Sequence, residues 1–427
     1  MLFKDRQHAA VSMLDTKLTA DKPVAEAEVN PIKVLHLVSA TQHSANSAQV
    51  NSLGAQLTPL LSRIDREHFE MQVVHFAPGD KQAAVMRQLG VPVHEIELSR
   101  RRIAPGAIGE LRRYGLKFQP DLIHAWGHTA ALAARWLKGA RTTPVLWTLP
   151  AQPAQANFLD RYKLKQLVKH AKLPKHIIYP SRAIAAEYHR LGFPDNTSQV
   201  ISSGVDLDRY KPDAKLGQQL RAQLSLEANA FVIGMHATFT PDNDFATFVR
   251  ATAELIKYNP DVYVVLAGKG VQRGNSGIMA LLGGGTLATR TTLLGEWSDL
   301  AALFNACDVF CSSALNDGSA QMLAAAMLCG VPCVGTGKGL QGEILSQHGI
   351  AVEPGSPNGL VRGITRVLEL SAEKRIFMAE GARRHVVANF SLQGAVQKYL
   401  GLYLQMTHAV EAATADKAVK LQRALVR

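Results

Sequence analysis

The feature that most constrains the fold is an alternation running the length of the chain. Short apolar runs rich in β-branched residues are separated by segments of helical periodicity. The runs are IKVLHLVSA (from Ile32), FEMQVVHFAPGD, VPVHEIEL, DLIHAW, TPVLWTLP and HIIYPS. Between them, SLGAQLTPLLSRI, AIGELRRYGLKFQP and HTAALAARWLKGA read as helices. Strands that alternate with helices in this way build parallel sheets covered on both faces. VISSGVDLDRYKPD (Val200 to Asp213) interrupts the pattern with turn formers, after which it restarts in FVIGMHA, VYVVLAGKG, TTLLGEW, DVFCSS, GVPCVGT and GIAVEP. The expected class is α/β, with two Rossmann-like, doubly wound parallel-sheet domains facing a central cleft. The expected boundaries are a leader at 1–30, a first domain at 31–199, a linker at 200–230, a second domain at 231–375, C-terminal helices at 376–408 and a basic tail at 409–427. The Gly-rich stretch Val271 to Arg290 reads as a loop or short insertion. Ligands of open α/β sheets sit beyond the carboxyl ends of the strands, so the cleft is the expected site.

Charge narrows the partners. The 427 residues carry a formal charge of +12, unevenly spread. Residues 1–230 hold 30 Lys and Arg against 20 Asp and Glu, and residues 231–427 hold 17 against 15. The surplus belongs to the first half and suits an anionic partner there, such as a membrane surface or an acidic glycan. No nucleic-acid motif is present, and an aromatic content of 6% argues against a base-stacking platform. No apolar run is long enough to span a bilayer. Cys307, Cys311, Cys329 and Cys333 end or follow apolar runs and read as buried small hydrophobes, with neither a disulfide framework nor a zinc site expected. The expected setting is the reducing cytoplasm, with peripheral contact at the inner face of the membrane.

Three segments carry a family resemblance. PSRAIAAEYHRLGFPDNTSQVISSGVDLDRYKPD, AGKG, and GEWSDLAALFNACDVFCSSALNDGSAQMLAAAMLCGVPCVGTGKGLQGEIL together resemble the family 4 (group 1) glycosyltransferases of GT-B fold. The resemblance implies retaining, metal-independent transfer from a nucleotide-sugar donor, a UDP- or GDP-sugar, to a glycan or lipid-linked acceptor in surface glycan assembly. It implies no cofactor. A departing diphosphate needs fixed cations and N–H groups. The family supplies an Arg and a Lys after the first strand of the second domain, but here those positions are Thr238 and Asn243. The family's paired acids, which hold sugar and ribose hydroxyls, fall on Asp317 and Ala325. The basic group of the first domain falls on Pro150, a frequent Arg falls on Trp297, and the first Gly-Gly turn reads SANSAQ (Ser44 to Gln49). Gly268 and Gly270 keep the glycine turn, Gly318 and Ser319 keep the loop that opens a helix, and Glu343 keeps an acid beyond the next strand.

The departures leave paired readings. Lys269, Arg273 and Lys338 form a relocated phosphate clamp or are solvated surface charges. Asp317 and Glu343 contact ligand or cap helices. His128 is an acceptor-side base or a helix-starting polar residue, and Trp126 is a sugar platform or packing. His124, like His128, is expected to face the cleft. The run RYKLKQLVKHAKLPKH holds Lys163, Lys165, Lys169, Lys172 and Lys175, with Leu164, Leu167, Val168 and Leu173 at near-helical spacing. It reads as an amphipathic helix docking on an anionic membrane, aided by Arg100–Arg102 and Arg112–Arg113, or as a solvated face. The chain is a glycosyltransferase with an atypical donor site or a non-catalytic subunit that supports a partner glycosyltransferase. A sugar epimerase of the same fold fits less well, because GSAQMLAAAMLCGVPC is closer to the transferases.

Overall fold

The computed structural model describes residues 30–39, 53–98, 105–137, 143–150, 158–317 and 320–425. The leader, Ser44 to Gln49, Arg100–Arg102, Gly318 and Ser319 lie outside them. The first sheet contains β1 (Ile32–Val38), β2 (Phe69–His75), β3 (Val93–Glu95), β4 (Leu122–Trp126), β5 (Val145–Thr148), β6 (His176–Tyr179) and β7 (Ser198–Val200). All pairs are parallel, in the order β3-β2-β1-β4-β5-β6-β7. Helices α1 (Leu53–Arg63), α2 (Lys81–Gln88), α3 (Pro105–Phe118), α4 (His128–Leu137), α5 (Phe158–Lys169) and α6 (Arg182–Arg190) connect them.

The second sheet contains β8 (Phe231–His236), β9 (Val262–Ala267), β10 (Thr291–Leu293), β11 (Val309–Ser312), β12 (Cys333–Thr336) and β13 (Ile350–Val352). It too is parallel, in the order β10-β9-β8-β11-β12-β13. Its helices are α7 (Ala214–Gln223), α8 (Phe245–Tyr258), α9 (Ser276–Leu282), α10 (Thr286–Thr289), α11 (Leu300–Ala306), α12 (Ala320–Leu328), α13 (Gly339–Leu345), α14 (Pro357–Leu368) and α15 (Ala372–Phe390). The last helix, α16, runs from Leu392 to Leu425. The two expected parallel α/β domains are both present.

Two stretches differ from expectation. The residues expected to link the domains contain α7, which Asp213 caps and whose Leu220 joins the core of the second domain. The Gly-rich stretch from Val271 is helical in two places, because Asn275 accepts from Gly277 N–H and so starts α9, while Ile278 and Leu282 are buried. Helix capping and burial outweigh the glycines there.

Each strand face of the first sheet has its own core. Along β4, Ile123 and Ala125 pack towards α3, α4 and α5, whereas Leu122, His124 and Trp126 face the other way. That second face is covered by α1 and by α16, which returns from the second domain. Leu392, Ala395, Val396, Tyr399, Leu402, Tyr403 and Met406 of α16 are buried in it. The crossing is tight: Val205 N–H donates to Phe390 O at 2.8 Å and Leu392 N–H to Val205 O at 2.9 Å. Gly204, at φ +70°, is required, since a Cβ there would stand 2.5 Å from Leu392 Cα.

Beneath α16 lies a buried polar cluster. His124 bonds Tyr403 OH at 2.6 Å and Thr148 Oγ1 at 2.8 Å. Trp126 Nε1–H donates to His36 Nδ1 at 3.1 Å, so the His36 proton sits on Nε2, which lies 3.4 Å from Met71 Sδ. Burial pushes the His36 pKa down to about 3 and lowers that of His124 well below the ordinary range. These imidazoles stay neutral in the fold but protonate in the unfolded chain below about 6.5. The unfolded state therefore binds more protons, and the stability present above pH 6.5 is lost progressively as pH falls towards 3. We expect His36 to contribute a slope of up to about 1.4 kcal/mol per pH unit in that window. Denaturant unfolding of wild type and His36→Leu between pH 7 and pH 4.5 checks this, and equal slopes in both would exclude it.

Candidate functional site

The cleft wall of the second domain is made by loops at the carboxyl ends of β8, β9, β11 and β12. After β8, a 3₁₀ turn (Pro241–Asn243) leads to Asp244, whose left-handed backbone and side-chain bond to Thr247 N–H start α8. Asn243 Nδ2 donates to Thr238 O at 2.8 Å and to Thr240 Oγ1 at 3.1 Å, while its own carbonyl accepts from Ser313 Oγ at 2.8 Å. Thr238 and Asn243 are thus tied together in holding their own loop. After β9, Gly268 makes the turn at φ +133°, where a Cβ would overlap Ala237 O at 1.9 Å. Lys269 lies at the apex of that turn, its carbonyl accepting from Phe239 N–H at 2.8 Å and its residue exposed. Gly270, also at positive φ, completes it. Arg273 and Lys338 are exposed too, and none of these three cations is in an ion pair among the described residues. Trp297 donates its Nε1–H to Asp299 O, closing the loop before α11.

The acids lie where helices begin. Asp317 Oδ1 accepts from Leu340 N–H at 2.7 Å and Gln341 N–H at 3.4 Å, at the start of α13. Burial raises the Asp317 pKa, the two N–H groups lower it, and Glu343 and Glu187 add further upward pushes. Gln341 is fully buried, with Nε2 donating to Asn316 O at 2.6 Å and Oε1 without a partner. Ala325 is buried in the apolar helix α12. Glu343 reaches out of its own domain, where its Oε1 accepts from Ala183 N–H at 3.2 Å at the start of α6.

On the first domain, His128 is buried at the start of α4, its Nε2 2.7 Å from Tyr188 OH. Tyr188 donates onward to Pro150 O at 3.2 Å. The hydroxyl has one proton, so His128 is the donor to Tyr188 and keeps a lone pair on Nδ1. Burial, with a smaller push from Lys163, lowers its pKa to about 4, so the ring is neutral at pH 7. His124 and Trp126 are not on the cleft: strand alternation turns them under α16, where both are wholly buried. Trp126 has no face open to a sugar.

The basic run differs from a membrane-inserting helix. Leu164, Leu167, Val168 and Leu173 pack into the core of the first domain, so they offer no apolar stripe to lipid. Exposed cations remain: Lys165, Lys169, Lys172 and Lys175, with Arg112 and Arg113 on α3, whereas Lys163 is half-buried. All four cysteines are buried free thiols, with Cys329 pushed up to about 12 by burial. Among the described residues no His, Cys, Asp and Glu group could hold a metal, and no helix is long and apolar enough to cross a membrane. Sequence reasoning missed Gln341, Glu187 and Ala183 N–H. Only the position of Gln341, two residues before Glu343, hinted at the first.

Comparison with known proteins agrees with this architecture. The "Glycosyltransferase Family 4" model matches residues 56–209 and the "Glycosyl transferases group 1" model matches residues 230–370. The chain belongs to the group 1, family 4 glycosyltransferases of GT-B fold. It is 26% identical over 211 residues to an Escherichia coli UDP-Gal:α-D-GlcNAc-diphosphoundecaprenol α-1,3-galactosyltransferase, covering 48% of this chain and 54% of that one. It is 25% identical over 227 residues to the Bacillus anthracis N-acetyl-α-D-glucosaminyl L-malate synthase, covering 52% and 58%. The chain spans about half the length of the curated relatives it matches. Its fold is similar to that of Anabaena Alr3699/HepE in complex with UDP and glucose, at TM-score 0.70 and 22% identity over 88% of this chain and 100% of that one.

The placement of the acids generates two expected outcomes. Asp317→Ala removes the acceptor for two N–H groups of α13 and should destabilise the second domain by about 1–2 kcal/mol in denaturant unfolding. Glu343→Ala leaves Ala183 N–H without its acceptor and should speed amide exchange there by about tenfold. Exchange at Ile184, whose N–H is held by Ser181 Oγ at 3.1 Å, should stay unchanged. Equal acceleration at both amides would mean that Glu343 acts on α6 as a whole.

Proposed function

We propose that this protein transfers a sugar from a UDP-sugar to a glycan or lipid-linked acceptor in surface glycan assembly, using an atypical donor site. The observation that carries this reading is the turn after β9. Gly268 allows close backbone approach, and Lys269 stands exposed at its apex with no ion pair. Lys338, at the entry to α13, is the second cation on loops of this wall. Together they replace the charge that Thr238 and Asn243 do not supply, and backbone N–H groups provide the rest. The choice of UDP follows the galactosyltransferase and HepE, whose names specify it. We assign His128, a buried neutral imidazole with a lone pair on Nδ1, as the polar group of the first domain on the acceptor side. The protein works in the cytoplasm, and the exposed cations of the first domain hold it electrostatically at an anionic inner membrane surface.

A second reading is favoured by the bonding of Asp317 and Asn243. Both side chains are already spent on loop structure, as expected of a non-catalytic subunit that binds a partner glycosyltransferase. Calorimetric titration with UDP, GDP and ADP separates the two. The first reading expects UDP to bind at micromolar strength, weakened about tenfold or more by Lys269→Ala or Lys338→Ala, which is the loss of one charge-assisted contact. Failure of all three nucleotides to bind at millimolar concentration would sink it and leave the second.

A further inference from the structure

The sheet of the second domain ends on β13, and no described strand pairs with its outer side. On its inner side Ile350, Ala351 and Val352 align with Val334, Gly335 and Thr336 of β12, and Gly337 N–H donates to Val352 O at 2.9 Å. The direction of backbone bonding alternates along a strand. Ala351, next to the inward-bonded Val352, therefore turns its N–H and C=O outward. Ala351 and Glu353 are exposed.

A groove of about 490 Å³ runs beside this edge, walled by α14. Gly363 lets the helix lie close against the sheet, since a Cβ there would stand 2.7 Å from Val334 Cγ1 and 3.3 Å from Ile350 Cγ2. Close packing sets Arg362 and Arg366 at the groove, on the same helix face and one turn apart. Both are exposed, and neither is in an ion pair or hydrogen bond among the described residues. Four helical residues rise about 6 Å. Same-face residues of a strand are spaced about 6.6 Å apart. A strand laid along β13 would thus bring carboxylates at alternate positions opposite both guanidinium groups.

We infer that the β13 edge docks an extended acidic segment of a partner protein. The segment adds as a strand, bonds to Ala351 N–H and C=O, and places Asp or Glu at two alternate positions against Arg362 and Arg366. Main-chain bonds supply the affinity and the arginines the selectivity. Glu353, exposed at the end of β13, repels further acids and restricts the motif to a pair. This surface is separate from the donor turn and stands whether or not the proposed transfer is correct.

Fluorescence anisotropy with labelled Thr-Glu-Val-Glu-Val-Thr, titrated with the whole chain, tests it. We expect saturable binding that weakens about tenfold or more with Arg362→Glu and Arg366→Glu combined, as befits the loss of two charge-assisted contacts. The isomer Thr-Glu-Glu-Val-Val-Thr should bind about tenfold less well, because its acids no longer share a face. Ala351→Pro, which removes the outward N–H, should also abolish binding. A peptide N-methylated at the residues that pair with Ala351 tests the same bonds on the unaltered protein, in case the proline variant fails to fold. Absence of saturable binding, equal binding of the two isomers, or full binding of the methylated peptide would each overturn the inference. The last of these would mark the groove as a general anion site.

Discussion

Everything about this molecule as a two-domain object depends on the seating of α16 against the first sheet. Seven apolar or aromatic residues of that helix are buried there, from Leu392 to Met406. At about 1.5–3 kcal/mol for each fully buried large side chain, this contact is of order 10 kcal/mol even after discounting for a compact unfolded state. The contact across the cleft is of another kind. Its polar part includes a bond from Ala183 N–H to Glu343, worth about 1 kcal/mol net. The domains are therefore strapped firmly on one side, at Val205 and Ser391, and held lightly at α6 and α13. A chain built this way can exchange its cleft contacts without giving up its fold.

The cleft itself is organised around an imbalance of charge. Glu187, Asp317 and Glu343 gather where α6 meets α13, and their mutual repulsion, added to burial, raises the Asp317 pKa. A carboxylate in such company needs compensation. Asp317 obtains it from two backbone N–H groups of α13, and Glu343 from one of α6. The helix N-termini thus serve the protein's own acids. Lys269 and Lys338 are solvated on loops of this wall, so a bound diphosphate would draw on exposed lysines instead of a buried clamp.

Most of the architecture was legible because it rests on local periodicity. Both sheets follow from apolar runs alternating with helices, and the domain junction from a cluster of turn formers. The helix α7 was not legible because it is polar on its outer face, and only the packing of Leu220 against the second core, a long-range contact, orders it there. Residue type identified candidates at the site but not their partners. Trp126 and His124 alternate with Ala125, and the element that covers their face of β4 is α16, some 270 residues further on. The leucines of the basic run have the spacing of an interfacial helix, yet that spacing serves equally well for packing on a core. Position in sequence could not show that Glu343 reaches the other domain.

Ala325 and Asn243 act on the second domain in one energetic sense. An acid at position 325 would lie in α12, where Leu323 to Leu328 are all buried, and a buried carboxylate without a partner costs several kcal/mol. Ala325 removes that cost and completes an apolar helix. Asn243 satisfies two acceptors of its own loop. Both residues therefore serve the stability of the second domain. Gln341 is the exception: its buried Oε1 remains unpaired beside Asp317. An unpaired buried acceptor costs about 1–3 kcal/mol. It lies in the first turn of α13, where the wall still carries that cost.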